Sequence, residues 1–313
     1  MNFSQLGFFE KVCRDGFSEA CREFQCDPNR GLSYLQELQR CLGFVLFEGD
    51  DEPSRETLSS EGRSFFPSAR RLVDSYVSGI LDVHESNQRD DILVVRSTFS
   101  YGKNLLLPCI AKMTTSKDWQ HVGIDLITQK RVGSNDNAEA HVLFMNYRDS
   151  DYLFFDRKWT LVLSQGLYAS EGYLLDIGNY PKTPEDLSSH SILGYGDVFD
   201  RDAYKRLNWH LSGEYGLSEM EPSILISSPG VITAAVEANL GIGPVVDSHV
   251  QFGYQKLFKV LPEVTGPPIV LDFAVRKKIP PKLGGVVHEL NDLMLKEADK
   301  LELRVDHRSG SIA

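Results

Sequence analysis

The polar run Glu85-Ser86-Asn87-Gln88-Arg89-Asp90-Asp91 divides the chain into two textures that no single sheet or bundle accommodates. Before it, apolar residues recur every three to four positions, as amphipathic helices require. After it, short apolar runs alternate with helical stretches, a pattern that specifies a mostly parallel sheet covered by helices. The expected fold class is therefore α/β with an all-α unit at the amino terminus, and 313 residues are enough for two or three domains.

In the helical part, Leu6, Phe9, Val12 and Cys13 mark a first helix that stops at Asp15-Gly16. Ser18 offers an N-cap for a second over residues 19–24, with Ala20, Cys21 and Phe24 apolar. Asp27-Pro28 starts a third, because the carboxylate caps free N–H groups and proline tolerates the first helical position. This helix runs to about Leu42 and is expected to bury Leu32, Leu35, Leu38 and Leu42, turning Asn29, Arg30, Ser33, Gln36 and Glu37 outward. Gly31 inside it costs about 1 kcal/mol relative to alanine. Residues 44–47 and 56–58 read as the two strands of a ribbon, joined by an acidic turn, Glu48-Gly49-Asp50-Asp51-Glu52, with Pro53. Three helices followed by a ribbon make a winged helix-turn-helix over residues 1–60.

From Ser60 a longer helix carries a narrow stripe, Phe65, Ala69, Leu72, Tyr76, Ile80 and Val83. A second copy of the chain would cover such a seam, which makes residues 61–90 a dimerisation helix and hinge; packing on its own domain is the other use. Four of the five cysteines, Cys13, Cys21, Cys26 and Cys41, precede residue 50 without a paired CxxC spacing, and are read as core residues; no metal or cofactor is expected.

Several separate phrases, in order, resemble the LysR-type transcriptional regulators. In the amino-terminal part they are LGFFEKVCRDGFSEACREFQ, ELQRCLGFVLFE and Leu58-Ser59-Ser60-Glu61-Gly62. Further on, YLLDIGNYPKTPEDLSSHSILGY and ISSPGVITAAVEANLGIGPVV are similar to that family's effector-binding domain. The resemblance implies a wing-bearing reader of double-stranded DNA at dyad-symmetric promoter sites, a dimerising linker and a sensor of two Rossmann-like subdomains. These would be subdomain I (91–161 and 267–303) and subdomain II (162–266), with a flexible tail at 304–313. It also implies a homodimer or homotetramer that responds to a small molecule. The sequence departs from the family pattern at Gly16-Phe17-Ser18, one residue short, at Asp27-Pro28, where Ser-Gln or Thr-Gln is usual, and at Gly49, where arginine is common.

For DNA the candidates are Ser18, Pro28, Asn29, Arg30, Ser33, Tyr34, Gln36 and Arg55. A guanidinium grips guanine and a side-chain amide pairs with adenine in the major groove, which singles out Arg30 and Asn29. Charge pulls the other way: to residue 70 there are 8 Lys/Arg against 12 Asp/Glu, a balance of −4, within a chain of net charge −11. Phosphate contacts supply most non-specific affinity, so random DNA is expected to bind weakly. A regulator-like interaction protein that modulates another regulator, with weak or no DNA binding, is the second reading left open by this deficit.

For the effector, Ser97, Thr98, Phe99 and Ser100 lie between a strand's carboxyl end and a helix, where open α/β sheets collect ligands. Ser228, followed by Pro229 and Gly230, opens a helix whose free N–H groups favour a small anion. Gln129, Asn146, Tyr195 and Gly243 complete the expected ligand set. No enzyme chemistry is expected: the glycines of Leu240-Gly241-Ile242-Gly243 lack dinucleotide-loop spacing, and no nucleophile elbow or zinc histidine pair appears. No apolar run is long enough to cross a bilayer, and the charged amino terminus does not resemble a signal peptide, so no membrane partner and a cytoplasmic location are expected.

Overall fold

A computed structural model describes residues 3–24, 26–49, 51–87, 91–115, 119, 121–128, 140–145, 153–196, 207–253 and 257–307, with backbone alone from 80 to 87. Four helices form the amino-terminal unit: α1 (Phe3–Asp15), α2 (Phe17–Glu23), α3 (Pro28–Leu42) and α4 (Ser60–Asn87). α1 is the hub. Leu6, Phe8, Phe9, Val12 and Cys13 are buried in one core with Phe17, Phe24, Leu35 and Leu38 from the next two helices.

Local chemistry explains the boundaries of α3. Asp27 accepts from the Arg30 backbone N–H at 3.0 Å, Pro28 holds the first position, and Gly43 ends the helix at φ +77°. Its buried face differs from expectation: Leu35 and Leu38 are interior, but Leu32 is exposed and Gly31 takes its place in the core. A methyl group at Gly31 would lie 2.8 Å from Cys21 Sγ, 2.9 Å from Phe8 Cζ and 3.0 Å from Phe17 Cζ. The glycine thus lets α3 cross α1 and α2 closely. α2 also starts two residues earlier than expected, at Phe17, after Gly16 at φ +91°. Ser18 is therefore inside the helix and not its cap; its hydroxyl donates to Glu52.

The expected ribbon shrinks to one antiparallel bridge, Phe47 with Leu58, flanked by Glu48 N–H to Thr57 and Ser59 N–H to Leu46. Longer strands do not form because nearby side chains satisfy the backbone first. Gln39 accepts from the Leu46 N–H, and Thr57 Oγ1 closes a turn with Ser54. Ser59 then joins wing to linker: its hydroxyl donates to the Val45 carbonyl and accepts from the Gly62 N–H at the start of α4. A side chain on Gly62 would collide with the Leu46 carbonyl.

The stripe on α4 is used largely within the chain. Ala69 is fully buried, Phe65 stacks on Phe9 at 5.8 Å, and Tyr76 stacks on Phe3 at 3.8 Å and lies near Phe154. Leu72 remains 48% exposed. The side chains of Ile80 and Val83 lie outside the described residues.

The sheet of the first α/β lobe has the order β11-β4-β10-β3-β1-β2, from β1 (Ile92–Ser97), β2 (Gly123–Thr128), β3 (Val142–Met145), β4 (Phe155–Leu163), β10 (Ile269–Arg276) and β11 (Arg304–Asp306). It is more mixed than expected. β1 runs parallel to β2 and β3, whereas β10 opposes β3 and β4, and β11 opposes β4. The reversal follows from the path: β4 carries the chain out of this lobe and β10 brings it back alongside. Residues 304–306, expected in a loose tail, instead pair with Thr160, Leu161 and Val162; residues 308–313 lie outside those described. One face of the sheet is covered by α5 (Phe99–Tyr101), a π turn (Gly102–Leu106), α6 (Leu107–Thr114) and α10 (Pro281–Lys300).

The second lobe places β5 (Gln165–Ser170) antiparallel between β8 (Gly243–Val246) and β9 (Leu257–Thr265). A parallel pair, β6 (Leu193–Tyr195) and β7 (Ile224–Ile226), joins it through the bridge Ile192 to Ile242. Helices α7 (Glu171–Ile177), α8 (Pro229–Glu237) and α9 (Asp247–Gln251) complete it. The two chain crossings between lobes are tied side by side, with Gln165 Nε2 donating to the Pro267 carbonyl at 2.7 Å.

Gly31→Ala gains about 1 kcal/mol of helix propensity but overpacks the crossing, a cost of typically 1–3 kcal/mol. We expect a net loss of stability, read as a lower urea midpoint with unchanged slope; equal or greater stability would contradict the close crossing.

Candidate DNA-reading face and sensor cleft

The start of α3 projects Pro28, Asn29 and Arg30 into solvent, with Gln36 exposed further along and Ser33 half-buried. Arg30 does not hang free: its Nε donates to Tyr34 Oη at 3.1 Å and the guanidinium lies 5.7 Å from that ring's centre. Tyr34 in turn packs edge-on against Phe8 at 5.5 Å. Arg30 and Tyr34 therefore share one face of α3 beside the exposed Asn29, with Arg30 braced from the core outward. Arg55 is placed elsewhere, over Phe66 of α4 at 5.9 Å, and Ser18 is engaged by the wing.

In the sensor, β1 ends where Ser97 is 1% exposed, and the Ser97 and Thr98 hydroxyl oxygens are buried without a hydrogen-bond partner among the described residues. Unsatisfied buried hydroxyls are costly, and a ligand is one way to satisfy them. Phe99, 61% exposed, stands opposite the start of α8: a methyl on Gly230 would lie 3.8 Å from its ring. Ser228 occupies the N-cap position of α8 with its carbonyl accepting from Ile232, and its hydroxyl makes no cap bond.

The lobes meet beside this point. Ser100 Oγ lies 2.7 Å from His249 Nε2, His249 Nδ1 lies 3.0 Å from Thr233 Oγ1, and Tyr101 Oη lies 2.7 Å from Ser248 Oγ. Thr233 directs its proton to the Pro229 carbonyl, so it accepts from Nδ1–H and leaves Nε2 to accept from Ser100. Burial lowers the His249 pKa to about 4, keeping the imidazole neutral, as this relay requires. The sequence reading missed His249 and Thr233. The signal available was position alone: His249 follows β8, at the carboxyl end of a strand in the second lobe.

The remaining candidates divide. Tyr195 is buried, its backbone gripped on both sides by Asn208, and burial raises its phenol. Gly243 is an interior packing residue: a methyl there would press on Val236, Ile232 and Leu193 at 3.1 to 3.3 Å. Gln129 and Asn146 lie outside the described residues. His190 and His210 are buried, the latter bonded to the Leu193 carbonyl, and His141 is bonded to the Val94 N–H. Among the described residues no group of three or more His, Cys, Asp and Glu is placed to hold a metal, and no helix is long and apolar enough to cross a membrane.

With this geometry in view, the chain is similar to full-length CrgA, described as a LysR-type transcriptional regulator from Neisseria meningitidis. The match has a TM-score of 0.51 at 19% identity and covers 94% of this chain and 99% of that one. The CrgA regulatory domain matches with a TM-score of 0.53 at 19% identity, over 66% of this chain and 98% of its own. The chain has the fold of a LysR-type regulator. No family model matches the sequence, and no curated protein does. At this identity the LysR-type likeness is one of architecture, and it runs through the helical unit and both α/β lobes.

His210 is also lowered to about 4 by burial. A histidine depressed in the folded state takes up its proton more readily when unfolded, so its stabilisation is complete above about pH 6.5 and is lost as pH falls towards 4. Unfolding free energy from urea titrations should therefore fall steeply from pH 7 to pH 4.5, by roughly a few kcal/mol for each imidazole. His249→Gln should flatten that slope; an unchanged slope would remove His249 as a contributor.

Proposed function

We propose that this protein is a ligand-responsive, DNA-binding transcription regulator that works as a homo-oligomer in the cytoplasm. The reading is carried by one observation: the LysR-type fold spans both an α3 that presents Asn29 and Arg30 to solvent and a two-lobed sensor with orphaned hydroxyls at its cleft. Arg30 and Asn29 read base edges, while Ser18, Ser33, Tyr34 and Gln36 approach the backbone. Pro28 supports this face by fixing the helix start, whereas Arg55, turned to Phe66 of α4, has no part in it. The exposed Leu72 of α4 belongs to the contact between copies.

The effector is a small anion, held by Ser97 and Thr98 from one lobe and by the start of α8, with Ser228 and Gly230, from the other. Phe99 supplies the apolar wall. A ligand that favours closed lobes shifts the geometry of the oligomer by its preference for that state, and so shifts DNA affinity.

Retention of a genomic fragment library on the immobilised protein across a salt series tests the DNA output. We expect enrichment of a dyad-symmetric site and its weakening by Arg30→Ala; no sequence-selective retention, with or without effectors, would overturn the reading. For the sensor, a panel of small carboxylates should include one that raises the melting temperature. Ser97→Ala should abolish that shift while leaving the unliganded melt in place; a shift unaffected by Ser97→Ala would move the ligand elsewhere.

A further inference from the structure

Three cations of the amino-terminal unit are neutralised within it. Lys11 pairs with Asp15 and Glu23, Arg14 with Asp15 and Glu10, and Arg22 with Glu19, while Arg30 is braced on Tyr34. The wing repeats the arrangement with opposite sense. Its arginine, Arg55, turns towards Phe66 of the linker helix, and one of its carboxylates, Glu52, turns towards α2 and accepts from Ser18 Oγ at 2.6 Å.

Ser18 is an exposed hydroxyl in the first turn of α2, the kind of donor that meets a phosphate oxygen when a helix-turn-helix sits on a duplex. A carboxylate oxygen in hydrogen-bond contact with it has the charge and acceptor chemistry of that phosphate. The wing is held close enough to make this contact by the Phe47 to Leu58 bridge below it and by the Ser54–Thr57 turn beside it. We propose that the acidic wing is a built-in competitor of the DNA backbone, with Glu52 occupying the Ser18 hydroxyl in the free protein and releasing it when the reader engages a duplex. This rests on the DNA-reading function proposed above and adds regulation of the same face. The consequence is selectivity: a random duplex supplies too little to displace the wing, whereas a site that also engages Asn29 and Arg30 supplies more.

The test uses the full chain and a labelled random-sequence duplex, titrated at low and at physiological salt. Glu52→Gln is compared with Glu56→Gln, which removes the same charge from the wing but whose carboxylate accepts from Ser54 in its own turn. Exposed contacts of this kind are worth up to about fivefold in an equilibrium. Glu52→Gln should therefore tighten binding several-fold beyond Glu56→Gln, and that excess should vanish in a Ser18→Ala background. Equal tightening by the two substitutions would overturn the proposal while leaving the DNA-reading function intact, since general charge would then account for the gain. Absence of binding to any duplex by wild type and both variants, each with an unchanged melting temperature, would overturn both.

Discussion

Burial around α1 is the constraint from which the amino-terminal half follows. Phe8 and Phe9 point to opposite neighbours: Phe8 meets Phe17, Phe24 and Tyr34 of the reader, and Phe9 meets Phe47 of the wing and Phe65 and Phe66 of α4. The same core continues to Leu143, Phe155 and Ala274 on a face of the first sensor sheet. A helix covered so completely has to settle its polar residues internally. Lys11 does so with two carboxylates, and burial raises the Glu10 pKa while Arg14 beside it pulls the other way. The three helices, the wing, α4 and the first sheet thus share this one core.

The sensor solves a second problem, how two lobes stay registered yet leave a place between them. Adjacent crossings, tied by Gln165 and Pro267, fix one end. The hydroxyl–imidazole–hydroxyl chain of Ser100, His249 and Thr233, with Tyr101 and Ser248 beside it, fixes a second point. Hydrogen bonds of that kind are each worth about 1 kcal/mol net, enough to hold a preferred arrangement and, on the ligand-responsive function proposed above, small enough for an effector to reset. The orphaned hydroxyls of Ser97 and Thr98 sit next to this latch, so satisfying them changes the environment of the contact that holds the lobes together.

What was legible in the sequence was chemistry that acts within a few residues. Asp27-Pro28 announced a helix start because cap and first position are decided locally, and the alternation after Asp91 announced an α/β sensor because periodicity is a local pattern. Gly31 was legible as a cost but not as a need, since the need comes from Cys21, Phe8 and Phe17 crossing at that point. The wing was over-read: its apolar run had strand composition, but Gln39 and Thr57 took the hydrogen bonds first. β11 was under-read, because Arg304-Val305-Asp306 acquires its strand character only from β4, an edge more than 140 residues earlier. In the cleft the serines after β1 stood out by position, whereas His249 meets Ser100 across 149 residues and carries no local mark.

Charge is where local and global readings part most usefully. A balance of −4 over the first 70 residues reads as a weak DNA binder if charges are simply summed, because counterion release scales with the cations that reach phosphate. The structure shows that the sum hides an arrangement: Lys11, Arg14 and Arg22 are paired with neighbouring carboxylates, and Arg30 is braced on an aromatic ring at the start of the exposed helix. On the DNA-reading function proposed above, a face built this way would draw little on sequence-independent attraction and depend more on base-edge contacts, so its ratio of specific to non-specific affinity would rise as its absolute affinity falls. An acidic wing is then consistent with a reader that discriminates, provided a second half-site on a partner copy restores by avidity what the missing phosphate contacts withhold.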